Sequence, residues 1–212
     1  MLMTPGLRRF ALTAHVASSV GWLGAVCAFL ALALSGVLST DSTIVRAAYV
    51  SMHLTTWYVI VPFCLASLLT GVMEGLGTPW GLFRHHWVFL KLVLTALATV
   101  ILIVHTQPID RVAALAMQSS LAIADMRAVR IQLVGDASAA IFVLLVTTSL
   151  SIYKPWGMTQ YGIRRQLEET AGRSLRVRRT SGRAGQYVLI ALGAFILLVL
   201  VLHLFGFGLH AH

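Results

Sequence analysis

The chain has 212 residues, 58% of them hydrophobic and 11% charged, whereas soluble domains run at about 45–50% apolar and about 25% charged. These proportions exclude a disordered chain and a disulfide-stapled secreted module, and they favour a multi-pass membrane protein over an ordinary soluble enzyme. The formal charge of +9 keeps nucleic acid open as a partner until the charges are placed.

Five segments reach the roughly 20 apolar residues that a membrane crossing needs: Phe10–Leu38, Ala47–Met73, Trp87–Thr106, Ile131–Tyr153 and Gln186–Leu209. The first follows Arg8 and Arg9 but is too long for the apolar region of a signal peptide, so it reads as a retained helix. Its Gly21 and Gly24, with Ser18, Ser19 and Ala25, offer a small-residue surface for close helix approach. In the second span Pro62 predicts a kink. Trp22 and Trp57 lie deeper than an interfacial belt and are expected to line a cavity. Cys27 and Cys64, both inside apolar runs, read as buried small side chains rather than a disulfide. Between the third and fourth spans, Ile109, Val112, Ala113 and Ala116 recur at helical spacing. They predict an interfacial amphipathic turn or an outward extension of the fourth helix.

The expected fold is therefore all-α, a polytopic membrane bundle with a four-helix core over residues 1–153. A basic loop over 154–185 and a fifth helix with a short tail over 186–212 complete it. Lys and Arg placement sets the direction. With the N-terminus cytoplasmic, eleven of the sixteen basic residues fall inside and four outside, Lys91 lying within a span. This predicts a bacterial plasma-membrane protein with its N-terminus inside and its C-terminus outside. Eight of those basic residues lie between Lys154 and Arg183, giving that loop a net charge of +6. Its expected partner is the anionic lipid headgroup layer, with a protein docking at residues 164–183 as the sharper alternative. Few aromatic residues are interleaved for base stacking, so no nucleic acid is expected.

An ionisable side chain inside a span is costly and points to function. The topology sorts such residues into two layers. His15, Glu74, His85, His86 and Lys91 fall in an inner layer, and His53, His105, Asp136 and His203 in an outer one. Bundles build cofactor and metal sites from side chains on facing helices, and imidazole serves both haem iron and other metals. His15 with His86 (or His85) could form an inner site. His53 with His105 could form an outer one, with Asp136 fixing the imidazole tautomer. Lys91 and Asp136 would tune the charge of the two layers.

The segment His15-Val-Ala-Ser-Ser-Val-Gly-Trp22-Leu23-Gly24, then Leu69-Thr70-Gly71, Trp80-Gly81 and Trp87-Val-Phe-Leu-Lys91, resembles the copper-resistance D family (CopD-like membrane proteins). The Tyr153-Lys154-Pro155 exit and the Gly157-Met158-Thr159 turn are most similar to a group of actinobacterial integral membrane proteins. More distantly, His15, Trp22, Lys91 and His105 resemble the pattern of the membrane-bound protoporphyrinogen oxidase family. That family continues with an aromatic-Leu-Pro-Arg run where this chain reads Ala25-Val26-Cys27-Ala28. The resemblance covers roughly Thr13 to His105. It implies a four-helix core that binds haem or handles copper.

Three functions follow as expectations. The first is a bundle that binds haem b or a metal ion through His15, His53, His86 and His105 for electron transfer or redox sensing. The second is copper uptake or handling, for which the soft side chains Cys27, Met52, Cys64 and Met73 lie in or near the membrane; the candidate metal ligands in either case are His15, His53 and His105. The third is a non-catalytic accessory subunit. No nucleophile–base arrangement is readable, and catalysis is not expected.

Overall fold

The computed structural model describes residues 3–78, 81–118, 127–154 and 157–170. The expected fifth span, with His203, and most of the basic loop lie outside the described residues. Four helical stretches are long and apolar enough to cross a membrane: Pro5–Leu38, Ser42–Gly77, His86–Gln118 and Arg127–Tyr153. The protein is a membrane-spanning helical bundle, with no strand among the described residues.

Helix α1 (Pro5–Leu38) starts where the Thr4 hydroxyl accepts the Leu7 N–H and Pro5 takes the first helical turn, where its missing N–H costs nothing. It ends at Ser39, which is extended. Two residues on, the Asp41 carboxylate accepts the Thr43 N–H at 2.8 Å and caps α2 (Ser42–Thr55). The second span then passes through a π-helical turn, Thr56–Ile60, before continuing as α3 (Val61–Gly77). Pro62 explains this turn. It has no N–H to give, and its ring crowds the carbonyl four residues back. A widened turn, in which the Val61 N–H reaches the Thr56 carbonyl, absorbs the mismatch.

Helix α4 (His86–Gln118) has 33 residues, so it is about 50 Å long against a hydrocarbon layer of about 30 Å. It runs straight through Pro108. The amphipathic segment after Thr106 is therefore an extension of the third span and not of the fourth. Ile109, Val112, Ala113 and Ala116 are buried, and Ile109, Val112 and Ala116 share one apolar cluster with Val45, Tyr49 and Met52 of α2. Helix α5 (Arg127–Tyr153) completes the set, and a short α6 (Gln160–Thr170) follows.

Short links between successive spans make neighbours antiparallel. Helix α1 packs on α2, α3 and α5, and α4 packs on the same three, so α1 and α4 face each other across the bundle. The end holding Thr4, Gly77, His86 and Tyr153 is the near end; the opposite one is the far end. At the near end Thr159 ties the chain after α5 to the start of α4, its N–H reaching the Arg84 carbonyl at 2.8 Å and its hydroxyl the Phe83 carbonyl at 2.6 Å.

The large apolar cluster fills the far half. Trp22, Phe29, Tyr49, Met52, Ile60, Cys64, Leu133 and Leu144 all belong to it. Trp22 is thus a core side chain rather than a cavity wall, and Trp57 is largely exposed. The cysteines are both free, Cys64 buried and Cys27 exposed. The two glycines of α1 also differ. Gly21 lies against the Phe63 ring of α3, whereas Gly24 faces open space.

The tightest helix approach is elsewhere on α1. A Cβ at Gly36 would lie 2.7 Å from the Tyr49 ring and 2.8 Å from its hydroxyl. That ring cannot swing away. Arg130 of α5 donates to the Tyr49 hydroxyl at 2.9 Å and to the Gly36 carbonyl, with its guanidinium 5.7 Å from the ring centre. Three spans meet at this clamp. Gly36→Ala should therefore lower stability by about 1–3 kcal/mol through overpacking, while Gly24→Ala leaves it unchanged. Thermal unfolding of the two variants in detergent checks this, and equal midpoints would contradict it.

Candidate functional site

Lys91 sits one and a half turns into α4, where it is partly buried. It crosses the bundle to α1, and its Nζ lies 3.0 Å from Nε2 of His15. The other ring nitrogen of His15 faces α3, 3.0 Å from the Ser67 carbonyl and 3.1 Å from the Thr70 hydroxyl. These partners fix the tautomer. A carbonyl only accepts, and the Thr70 proton is committed to the Ala66 carbonyl at 2.6 Å, so Nδ1 carries the hydrogen. Nε2 is left with its lone pair, which accepts from the Lys91 ammonium. His15 is 7% exposed. Gly71 makes the fit possible, since a Cβ there would lie 3.1 Å from the ring carbon Cε1. A second contact, between the Ser19 and Ser67 hydroxyls at 2.8 Å, holds α1 to α3 one turn away.

Beside this centre is a cavity of about 100 Å³, lined among others by His15, Ser67, Glu74, Trp87, Lys91 and Thr95. It is large enough to hold water. Glu74 supplies a carboxylate to the same space as the Lys91 ammonium, and favourable electrostatics link the two. Trp87 lines the mouth and carries the Lys154 amine 5.8 Å from its ring centre. Deeper along α4, the Thr99 hydroxyl lies 3.1 Å from the Cys64 sulfur, both buried.

The far half holds two His–carboxylate pairs instead of one shared site. His53 Nδ1 donates to Asp110 Oδ1 at 2.9 Å, and Trp57 Nε1 donates to the same oxygen at 3.0 Å. Four residues apart, His53 and Trp57 share one face of the second span. Both members of the pair are partly exposed, at 36% and 41% for their side chains. His105 points to another neighbour. Its Nδ1–H donates to the Ile101 carbonyl at 2.7 Å, and its Nε2 lies 3.6 Å from Asp136 Oδ2 of α5. This pair is more deeply set, at 6% and 22%.

The residues singled out from sequence are thus regrouped. His15 is joined by Lys91 and not by a second imidazole. His86 is the half-buried first residue of α4, and the neighbouring His85 pairs its backbone with Met158. His53 and His105 have separate partners, and Asp136 serves only the latter. Sequence reasoning missed Asp110 as a partner, because the third span was ended at Thr106 and Asp110 fell in the segment between spans. The apolar spacing of Ile109, Val112, Ala113 and Ala116 continues the α4 register and was the signal for it. Ser67 and Thr70 were also missed, although with Gly71 and Glu74 they make a polar stripe at helical spacing.

A haem does not fit this centre with the helices as they stand. The cavity is well below the roughly 300–1,000 Å³ of pockets that enclose cofactors, and the ligating nitrogen of His15 is engaged by Lys91. A metal cation meets the Lys91 charge at that same nitrogen, and no group of three or more His, Cys, Asp or Glu side chains able to hold a metal is found among the described residues. Comparison of the chain with protein-family models, with curated proteins and with solved structures yields no match.

His15 is expected to be the Nδ1–H tautomer, the less common form of free imidazole. Nitrogen-15 NMR of histidine-labelled protein at pH 8 should give the Nδ1-protonated shift pattern for this residue, assigned with His15→Ala. An Nε2-protonated pattern would contradict the geometry.

Proposed function

We propose that this integral membrane protein holds a small polar ligand at the His15–Lys91–Glu74 centre and exchanges protons there, with the near end cytoplasmic as the basic-residue bias requires. One observation carries the reading. Three ionisable side chains from three spans converge on a polar cavity inside an apolar bundle, at a cost that structure alone does not require. Nζ and Nε2 are at hydrogen-bond distance, so a proton can pass between them without movement of heavy atoms. Glu74 compensates the charge when Lys91 is protonated. A small anionic or carbonyl-bearing group entering the cavity would meet the Lys91 ammonium as donor, with the Thr95 hydroxyl beside it.

A second reading is a cofactor site for electron transfer, with haem b or copper as the ligand, in keeping with the resemblance to the copper-resistance D family. It is favoured by the tautomer of His15, whose Nδ1–H is anchored on a backbone carbonyl, leaving at Nε2 the lone pair that a ligating imidazole uses. It requires Lys91 to leave Nε2 and α1 to part from α4.

The two readings separate in one titration. Detergent-purified protein is titrated with haemin and, separately, with copper(I). The first reading predicts no Soret shift and no stoichiometric copper. It also predicts that acetate, used as a carboxylate probe, raises the unfolding midpoint of the wild type and not of Lys91→Met. A Soret band lost in His15→Ala would establish the second reading instead, and no response to any of the three probes would sink both.

A further inference from the structure

The polar side chains of the interior are not scattered. On α4, Lys91, Thr95 and Thr99 follow one another at four-residue steps, about 6 Å apart along the axis. Opposite them on α3 stand Glu74, Thr70, Ser67 and Cys64, again one per turn. Lys91, Thr95, Glu74 and Ser67 line the near-end cavity. Thr99 lies one turn deeper. Its hydroxyl donates to the Thr95 carbonyl at 2.8 Å, so toward Cys64 it accepts, and the thiol donates. Proton-bearing groups thus extend from the near end to the level of Thr99 and Cys64, both at most 5% exposed.

The next rung is apolar. Ile60 and Val26, each seven residues beyond the Ser67–Ser19 contact, belong to the same packed cluster as Cys64 and are only 3% and 4% exposed, and Leu102 packs against that cluster. Beyond this layer the polar groups resume with His105 and Asp136, and then with His53 and Asp110 at the far surface. Thr99 and His105 are six residues apart on one helix, about 9 Å along its axis. A proton does not cross that distance without water, and a tightly packed aliphatic layer keeps water out.

We propose that the bundle carries two proton-conducting half-paths, separated by a dry plug of Val26, Ile60 and Leu102. The near half-path loads the His15–Lys91 centre from one side of the membrane. The far half-path ends at His105–Asp136 and exchanges with the other. The plug keeps the two compartments insulated while each half stays in contact with its own aqueous phase. The ligand class is the hydrated proton. The inference rests on the proposed function only for the near terminus of the path.

The test is a gain of conductance. Full-length protein is reconstituted in phosphatidylcholine–phosphatidylglycerol vesicles containing a pH-sensitive dye, and a potassium diffusion potential drives proton entry. Wild type should match empty vesicles. Leu102→Ser, which puts a hydroxyl between Thr99 and His105, should raise proton entry roughly tenfold by wetting the plug. Ile60→Ser, from the facing helix, should do the same and stands in if Leu102→Ser does not fold. Adding Thr99→Val to either should return the flux close to the wild-type rate. A leaky wild type would overturn the plug. So would tight vesicles with both serine variants, provided these elute and unfold like wild type. A leak that Thr99→Val does not reduce would overturn the path. Thr99→Val does not touch His15 or Lys91, so its response to acetate, haemin and copper(I) reads the centre independently.

Discussion

An ammonium group buried in a membrane-spanning bundle has to find its acceptors inside the protein. Lys91 is that group here, and the near half of the structure is arranged around it. Its acceptor is an imidazole from the helix diagonally opposite, which ties together two spans that face each other across the bundle. The imidazole must be neutral and must turn its lone pair to the lysine. This in turn requires a carbonyl and a hydroxyl behind it, supplied by Ser67 and Thr70. The backbone of α3 can come that close because residue 71 is glycine. One placed charge therefore accounts for a histidine, two hydrogen-bonding residues, a glycine and a small polar cavity.

The two halves of the bundle divide the work. The far half supplies cohesion, with a continuous aliphatic and aromatic core closed at its end by the Arg130–Tyr49–Gly36 clamp. The near half combines a smaller apolar cluster of Leu90, Leu94 and Leu150 with a polar cavity, whose ionisable lining residues are His15, Glu74 and Lys91. In lipid the hydrophobic effect does not drive helices together, so packing and interhelical hydrogen bonds have to hold the near half in place. The Ser19–Ser67 and His15–Thr70 contacts do this between α1 and α3, and the segment through Thr159 braces the start of α4 from outside.

Much of this was legible in the sequence, and the limit has a clear physical origin. Hydropathy places the first four spans, because the bilayer demands runs of about 20 apolar residues. Depth along each helix follows from a fixed rise per residue, so the division into two polar layers could be read directly. Rotation about each helix axis could not. His15 and Lys91 were assigned to one layer, but His15 was matched with His86 because nothing in the chain states which faces meet. The same ambiguity merged two His–Asp pairs into one outer site. Asp110 escaped because the third span was ended at Thr106, whereas α4 continues through Pro108 by packing its extension against α2. Pro62 was expected to kink the second span; the π turn found just before it, at Thr56–Ile60, depends on how the backbone repairs the missing hydrogen bond.

The account stands on the direct interaction of His15 with Lys91 across the bundle. A double-mutant cycle measures it: unfolding free energies of wild type, His15→Ala, Lys91→Ala and the double variant, in one detergent. Residues in contact couple by about 0.5–3 kcal/mol, whereas distant sites add within about 0.3–0.5 kcal/mol. The structure predicts coupling in the upper part of the first range, with the double variant less destabilised than the sum of the two single ones. Additive effects would contradict it.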